Sequence, residues 1–283
     1  MSQDIISSTE FQLDAVKIEA TPVESSYDKT DSEQVLTIKP NLEQQEDTPP
    51  LLQSPPKTFG VIYLACGKKY VQEAIKSARS FKRFHPKIPI TIHTDSAPLA
   101  RSYPNLFNRV IRVSPKKPGM KIAPAAKLNK IKAMASSPYD VTLYLDCDTK
   151  ILKPIGELFE MGKNYDLMIA NSPMLDKTII PYRLVSYVRP KAYNSGVIVY
   201  RKNEKIQNLF TSWLRKSKKD PKIWEKNKGS FFDQPKLVSL LNRPDPGINF
   251  KVIPNVLYNA RHTMIPRLKS QRLYKNVKII HTH

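Results

Sequence analysis

The sequence predicts an α/β fold in which helices cover both faces of a mostly parallel central sheet. Short apolar runs, typical of buried parallel strands, alternate with segments whose apolar residues have helical spacing. The intervals between them match strand–helix–strand units. Acidic residues follow two of the runs, at Asp95 and at Asp146. In such sheets, ligands bind outside the carboxyl ends of the strands.

The first half of the predicted domain is regular. Apolar runs predict strands at 58–65, 88–94, 109–113 and 141–145. Between the first two, apolar residues from Val71 to Phe81 have helical spacing, and His85-Pro86 closes this helix. A second helix begins near Pro124 and stops at Pro138, just before the fourth strand. This order predicts consecutive parallel strands with helical crossovers.

The second half is less regular, and its elements are predicted individually. Residues 165–170, 196–201 and 277–280 are apolar runs that predict strands, and residues 206–216 and 233–241 have helical patterns. Neither a G-x-G-x-x-G nor a Walker A sequence occurs, so the two common phosphate loops are absent.

Charge divides the chain into two parts. The net charge is +21, but residues 1–56 hold 11 acidic and 3 basic residues, which leaves +29 on the remainder. The acidic part is polar and ends in the proline-studded TPPLLQSPP, so it cannot bury enough apolar surface to offset its ordering entropy. We therefore predict a disordered acidic N-terminal segment at 1–57 and one domain at 58–283.

The expected cellular compartment is inferred from targeting, membrane-spanning and disulfide patterns that the sequence does not show. No signal-peptide pattern is visible, and no window approaches the roughly 18 apolar residues of a spanning helix. The two cysteines, Cys66 and Cys147, make no disulfide framework. We expect a cytoplasmic protein. The basic domain leaves open a peripheral contact with an anionic membrane, whereas no zinc-finger or RNP-type signature favours nucleic acid.

The strongest candidate site follows the strand at 141–145, which ends in Asp146 and Asp148. Two carboxylates at the end of a buried strand cost solvation energy unless a positive charge lies there. A divalent ion that binds a diphosphate satisfies this need, because Mg²⁺ and Mn²⁺ prefer oxygen ligands and keep positions open for phosphates. An imidazole from His281 or His283 would favour Mn²⁺; the two point the same way on an extended chain, so spacing does not choose between them.

Three weaker candidates accompany the aspartates. Asn194-Ser195-Gly196 precedes an apolar strand, where small residues let a ligand approach the backbone closely, although an ordinary turn fits equally well. Asp233-Gln234 opens a helix, where an aspartate is also a common N-terminal cap. Lys127, near a helix start, could meet a phosphate, although most single lysines do not.

Taken in order, these segments resemble the GT-A glycosyltransferases, particularly the glycogenin-like family 8 and related nucleotide-diphospho-sugar transferases. The matching segments cover about residues 58–283 and read VIYLACGKKYVQEAIKSARSF, ITIHTD, KLNKIKAMASSPYDVTLYLDCDT, YNSGVIVYRKN, FFDQPKL and IIHTH. The resemblance implies a single GT-A (Rossmann-like) domain. It also implies a hexosyltransferase that moves a sugar from a nucleotide diphosphate donor, with UDP expected, to a hydroxyl of a glycan, lipid or protein. Retention of configuration is the family expectation.

The resemblance also assigns roles. Asp146 and Asp148 look like the D-x-D that reaches the donor and Mn²⁺ or Mg²⁺, with His281 as the third metal ligand. The residues that resemble the family's donor-binding positions are Leu64, Ala65, Cys66 and Tyr70 for the base, Asp95 near the uracil and ribose, Lys127 facing the donor, and Ser195 and Gly196 beside the sugars. Asn194, Asp233 and Gln234 match positions that contact the reacting sugars.

One departure from the family concerns the diphosphate. Family 8 usually continues as H-x-x-G-x-x-K-P-W, and the matching text here stops at HTH. The resemblance therefore implies either that another lysine or arginine meets the diphosphate or that the leaving group is stabilised less well.

Two alternatives remain open at this point. A nucleotidyltransferase also uses carboxylates and a divalent ion at strand ends, although no Gly-rich phosphate loop follows the first strand. A basic protein that binds nucleic acid or a membrane surface on an inactive GT-A fold would bind with steep salt dependence and without donor turnover. The oligomeric state is not predicted.

Overall fold

The described part of the chain forms two sheets in this computed structural model, which covers residues 58–114, 122–172, 193–218 and 233–282. The strands are β1 (Phe59–Ala65), β2 (Ile90–Thr94), β3 (Arg109–Arg112), β4 (Val141–Leu145), β5 (Thr149–Ile151), β6 (Leu167–Asn171), β7 (Tyr193–Arg201), β8 (Phe250–Ile253), β9 (Ala260–Arg261) and β10 (Ile279–His281).

Seven strands form the central sheet in the order β3-β2-β1-β4-β7-β6-β8. The pairs β2–β3, β1–β2, β1–β4 and β6–β8 are parallel, and β7 is antiparallel to both β4 and β6. The predicted mostly parallel sheet is confirmed. The remaining strands form a small sheet in the order β5-β10-β9, in which β10 is antiparallel to β5 and parallel to β9.

Helices fill the connections between these strands. They are α1 (Lys68–Lys82), α2 (Ala97–Arg101), α3 (Ile122–Ala135), α4 (Gly156–Gly162), α5 (Glu204–Lys218), α6 (Gln234–Leu241), α7 (Asn255–Tyr258) and α8 (Ile265–Ser270), with 3₁₀ turns at His262–Met264 and Tyr274–Asn276. None of these described helices combines the length and the apolar character that crossing a membrane requires.

The two faces of the central sheet carry separate cores because side chains alternate along each strand. Val61 and Tyr63 of β1 point to the face covered by α1, α2 and α4, whereas Ile62 points to the face covered by α3, α5 and α6. Trp213 of α5 and Met134 of α3 are fully buried on that second face. Helices on both faces of a mostly parallel sheet make a three-layer α/β domain.

The long elements lie close to the predicted positions, and three regions differ. β7 begins at Tyr193, so Asn194-Ser195-Gly196 belongs to a strand rather than to a turn. β10 ends at His281 instead of at residue 280. The short elements β5, β8, β9, α2, α4, α7 and α8 were not predicted. The predicted segment 1–57 lies outside the described residues.

The direction of β7 positions the candidate site. Because β7 is antiparallel to β4, its beginning meets the carboxyl end of β4, with Leu145 opposite Val197. Asp146 N–H donates to Gly196 O over 2.8 Å and continues this pairing beyond the strand. On its other side, β7 shifts register against β6 between Ile169 and Ala170. The segment 194–196 therefore lies at the carboxyl edge of the sheet.

Candidate active site

A cleft of about 890 Å³ opens at this edge and contains the strongest candidate group. One ligand atom each from Asp146, Asp148 and His281 lies within 4.8 Å of the others. His281 Nε2 is 3.0 Å from Asp148 Oδ1 and 4.0 Å from Asp146 Oδ2. Two carboxylates and an imidazole are suitable ligands for Mn²⁺ and suit Mg²⁺ less well. His283 lies outside the described residues.

The surroundings of this group fit a metal ion. Nδ1–H of His281 donates to Asn259 Oδ1 over 3.0 Å, which leaves the Nε2 lone pair directed at the two aspartates. Gly196 provides the necessary room: a Cβ there would lie 2.5 Å from His281 Cε1 and 2.8 Å from Asp146 Oδ2. A hydrogen-bond partner that orients the histidine and a glycine at the closest approach are both consistent with a metal site.

Hydrogen bonds from two threonines fix the backbone of the loop 146–148. Thr149 Oγ1 donates to Asp146 O over 2.9 Å and is itself bonded to Ser77 of α1. Thr282 donates to Asp148 O from both its N–H (2.7 Å) and its Oγ1 (2.8 Å). The segment after β10 therefore holds His281 and the aspartate loop in a fixed relation, although they are far apart in sequence.

A buried lysine that the sequence analysis did not select lies at the centre of the site. Lys130 of α3 is 3% exposed. Its Nζ is 3.2 Å from Asp146 Oδ1 and 3.4 Å from Asp233 Oδ2, and it donates to Ser195 O over 2.8 Å. Nζ also lies 4.7 Å from the centre of the Tyr144 ring, whose hydroxyl donates to Asp146 Oδ1. One ammonium group thus joins α3, β4, β7 and the start of α6.

The opposite charges of Lys130, Asp146 and Asp233 stabilise the ionised forms of these buried groups. Burial by itself would raise the pKa of Asp146 and of Asp233, but the positive charges of Lys130 and Lys127 lower both below the ordinary range. Burial would likewise lower the pKa of Lys130, and the two carboxylates raise it instead. All three groups are therefore charged at neutral pH.

Lys127 and the residues that resemble sugar-contacting positions of the family lie around the same cleft. Lys127, 40% exposed at its side chain, is 3.3 Å from Asp233 Oδ1. Ser195 N–H donates to Gln234 Oε1 over 3.2 Å, which connects β7 with the first turn of α6. Asn194 is buried, and its Oδ1 accepts the N–H of Gly196 over 2.8 Å. The structure brings these predicted residues together.

The residues that resemble the base-binding and ribose-binding positions of the family are divided between two clefts. Leu64, Cys66 and Tyr70 line the large cleft. Asp95 instead lines a second space of about 440 Å³ and accepts Gly67 N–H over 2.7 Å. Ala65 is fully buried in the core and lines neither cleft, so the predicted contact of this residue with the base is not seen in the structure.

Both cysteines are free, and neither is activated as a nucleophile. Burial raises the pKa of the Cys66 thiol to about 11 and that of Cys147 well above its ordinary value. Cys147 Sγ lies 3.0 Å from Leu64 O, to which its thiol donates. Both cysteines line the cleft as small, largely buried groups.

Lys130, Asn259 and Arg261 complete the site and were absent from the sequence prediction. Spacing could have indicated the lysine, because Lys127, Lys130, Ile131 and Met134 follow i, i+3, i+4, i+7 and share one helix face. Arg261 lines the cleft from β9, opposite His281 in the register of the small sheet. No pattern indicated this two-residue strand.

Comparison with solved structures supports the GT-A fold that the sequence resemblance implies. The sequence matches no protein-family model and no curated protein sequence. The galactosyltransferase LgtC, whose structure holds donor and acceptor sugar analogs, is similar with a TM-score of 0.47 and 16% identity, over 78% of this chain and 86% of its own. The bifunctional glycosyltransferase WbbM is similar with a TM-score of 0.50 and 14% identity over 82% of this chain.

The alignment with WbbM covers 46% of that protein, so the present chain corresponds to about half of it. At this level of identity the likeness concerns the fold. The described domain has the GT-A fold of glycosyltransferases.

Proposed function

We propose that this protein is a metal-dependent glycosyltransferase that moves a sugar from a nucleotide diphosphate donor to a hydroxyl acceptor. The observation that carries the proposal is the convergence of Asp146, Asp148 and His281 at the carboxyl edge of the sheet. The GT-A fold supports sugar transfer as the reaction class. UDP-sugars are the donors that the sequence resemblance favours, and a glycan, lipid or protein hydroxyl is the acceptor.

The three ligands would hold Mn²⁺, with Mg²⁺ as the alternative. Bound there, the ion would offset the charge that develops on the leaving diphosphate. The chain's own groups prepare this site: Asn259 orients His281, and Gly196 leaves the space in which the donor meets the ligands. Thr282 keeps the aspartate loop in place.

Arg261 is the residue we assign to the donor diphosphate. The cleft is lined by the cations Lys69, Lys127, Lys130 and Arg261. Lys127 and Lys130 are already paired with aspartates, and Lys69 belongs to the first turn of α1, whereas Arg261 neighbours a metal ligand. The Arg261 side chain makes no hydrogen bond or ion pair within the described part of the chain. It stands opposite His281 in β9, and residues at matched positions of neighbouring strands project to the same face. A guanidinium group also matches phosphate geometry with two parallel hydrogen bonds.

Asp233 and Gln234 would orient the transferred sugar. Asp233 stays ionised because Lys130 and Lys127 lower its pKa, so it can accept sugar hydroxyls and stabilise positive charge at the reacting carbon. Trp213 Nε1–H donates to Asp233 O over 2.8 Å and fixes the start of α6. Lys130 bridges Asp146 and Asp233 and offsets the repulsion between their carboxylates. Retention of configuration stays a prediction.

The proposal is tested by a screen of UDP- and GDP-sugars for Mn²⁺-dependent hydrolysis, followed by acceptor transfer. We expect one sugar donor to be consumed with release of a nucleoside diphosphate. Asp146→Asn and Asp148→Asn should abolish this turnover while circular dichroism shows an intact fold. Full activity in either variant would contradict the assignment. Release of a nucleoside monophosphate or pyrophosphate would favour a nucleotidyltransferase instead.

The cellular compartment is also a proposal. We propose a reducing location such as the cytoplasm, which the free thiols of Cys66 and Cys147 support. Oxidation state in the native cell extract, measured by thiol labelling, tests it.

A further inference from the structure

An exposed turn after α8 combines positive charge with an exposed apolar side chain. This basic turn comprises Lys269, Arg272, Leu273 and Lys275. The three cations are exposed, and Leu273 is 43% exposed. Lys269 Nζ lies 5.4 Å from the centre of the Tyr274 ring, and Lys153 Nζ donates to Lys275 O from a neighbouring segment. Several cations are thus grouped around one exposed leucine.

Carboxylates do not neutralise this turn locally. No Asp or Glu occurs after Asp245, whereas seven lysines and arginines do. The nearby Lys278 is paired with Glu157, but Lys269, Arg272 and Lys275 form no ion pair within the described residues. A surface of this kind favours an anionic partner over a neutral one.

The backbone of the turn retains a cation where glycine would be more stable. Arg272 has φ +56°, the one positive φ among the described non-glycine residues. Leu273 N–H donates to Leu268 O over 2.8 Å and Arg272 N–H to Lys269 O over 3.0 Å, which is the pattern that ends a helix and normally has glycine at the left-handed position. Strain at such a position is a sign of function when the residue supplies something that glycine lacks.

We propose that the basic turn docks the protein on an anionic lipid bilayer. Leu273 would enter the headgroup region, and Lys153, Lys269, Arg272 and Lys275 would lie against anionic headgroups. Each cation near such a surface adds a comparable increment of affinity, so four cations and one apolar side chain give reversible peripheral binding. Such docking does not depend on the proposed transferase activity.

A bilayer fits this turn better than a nucleic acid. Single-stranded nucleic acids bind to exposed aromatic rings on which bases stack. The ring of Tyr274 is partly buried and has Lys269 over it, so the exposed apolar group of the turn is an aliphatic leucine. Leucine offers no stacking surface and no base recognition, but it inserts readily among acyl chains.

The test is cosedimentation of the full chain with phosphatidylcholine vesicles with and without phosphatidylserine. We expect binding only to the anionic vesicles. The triple variant Lys269→Glu, Arg272→Glu, Lys275→Glu should bind about 100-fold more weakly or not at all. The control Lys202→Glu, Lys205→Glu, Lys218→Glu makes the same change in net charge at exposed sites on and beside α5 and should retain binding. Equal losses in the two triple variants would overturn the proposal, because the overall charge would then explain binding.

Two single variants separate docking from structure. Arg272→Gly should raise Tm by about 2–4 °C by removing backbone strain, yet weaken vesicle binding about 5-fold. A gain in stability with unchanged binding would contradict the proposal. Leu273→Asp should lower binding with little change in Tm. Tight binding to single-stranded RNA that depends on the same turn, without vesicle binding, would also overturn it.

Discussion

At the residue scale, Lys130 determines whether the site can hold two buried carboxylates. Its ammonium group contacts Asp146, Asp233 and Ser195, and it is almost fully buried. Removing one partner of a buried ion pair leaves an uncompensated charge, which costs more than the pair itself contributes. The lysine is therefore both a structural and an electrostatic component of the site.

We expect Lys130→Met to unfold at lower urea concentration, with a loss of about 3–5 kcal/mol in the free energy of unfolding. Donor turnover should fall by about 10²-fold or more, since the fixed positive charge in the site is lost. Lys132→Met on the same helix, at an exposed position, is the matched control and should change neither quantity appreciably. Wild-type stability in the Lys130 variant would show that the cluster is not coupled as the distances suggest.

Arg261 carries the prediction about the diphosphate. Arg261→Ala should weaken binding of UDP in the presence of Mn²⁺ by about 10-fold to 100-fold, the loss expected for a charge-assisted bidentate contact of roughly 1.5–3 kcal/mol. Arg261→Lys should recover part of this loss. Arg215→Ala, at an exposed position near the end of α5, serves as the control. Unchanged UDP affinity in Arg261→Ala would remove the residue from the donor site.

Asn259 is the positioning residue for His281. Asn259→Ala should lower Mn²⁺ affinity by about 10-fold to 100-fold, because the partner that fixes the imidazole tautomer is lost. Asn259→Asp keeps an acceptor oxygen at the same position and should bind Mn²⁺ at least as well as the wild type. Titration calorimetry of the two variants distinguishes this role from simple packing, which would make both variants fail.

At the scale of elements, long strands and helices were predictable and short ones were not. β4 is five buried residues in an apolar run, and α1 repeats its apolar spacing over 15 residues. By contrast, β9 has two residues and β5 three, too few for any period to be recognised. The reversed direction of β7 could not be predicted either, since an apolar run does not specify which neighbour it pairs with.

Asp166 connects the segments around β6, β7 and β8, at one edge of the central sheet, through hydrogen bonds. Its Oδ1 accepts from Arg201 Nη2 (2.8 Å) and Asn203 Nδ2 (2.6 Å), and its Oδ2 accepts Asn249 N–H over 2.9 Å. Burial would raise the pKa of Asp166, but Arg201 and the hydrogen bonds lower it below its ordinary value. The carboxylate therefore joins the segments beside β6, β7 and β8.

This lowered pKa predicts a pH-dependent contribution to stability. The contribution is fully present above the unfolded-state pKa of about 3.9 and is lost as the pH falls through the lower folded-state pKa. Asp166→Asn should cost about 2–4 kcal/mol in urea unfolding at pH 7, and the gap to the wild type should narrow at about pH 3. Asp245→Asn at an exposed loop should cost less than about 0.5 kcal/mol at either pH. A gap that is constant with pH would mean that the charge is not the cause.

At the scale of the whole molecule, the site is assembled from distant segments at the carboxyl edge of a mostly parallel sheet, where ligands bind in folds of this class. This placement made Asp146 and Asp148 predictable, because both directly follow a strand that the apolar run reveals. The role of Asn259 was not predictable, because it depends on a contact with His281, 22 residues later, that no local pattern encodes. Helix spacing could place Lys130 on the same face as Lys127, but its contacts with Asp146, Asp233 and Ser195 depend on the tertiary fold.

Some positive side chains of the domain are paired with carboxylates, and others are not. In the cleft, Lys127 and Lys130 are balanced by aspartates, whereas the Arg261 side chain has no ion pair within the described residues. On the surface, the basic turn after α8 concentrates cations around Leu273. Under our two proposals, part of the +29 excess beyond the acidic segment binds a diphosphate in the cleft and an anionic bilayer at the basic turn.

The central claim is that Asp146, Asp148 and His281 hold a divalent ion that in turn binds a nucleotide diphosphate. Titration calorimetry of UDP against the purified protein, with and without Mn²⁺, tests this most directly when wild type and Asp148→Asn are compared. We predict UDP binding to the wild type that requires Mn²⁺ and is lost in the variant. UDP binding of equal strength without the metal, or in Asp148→Asn, would contradict it.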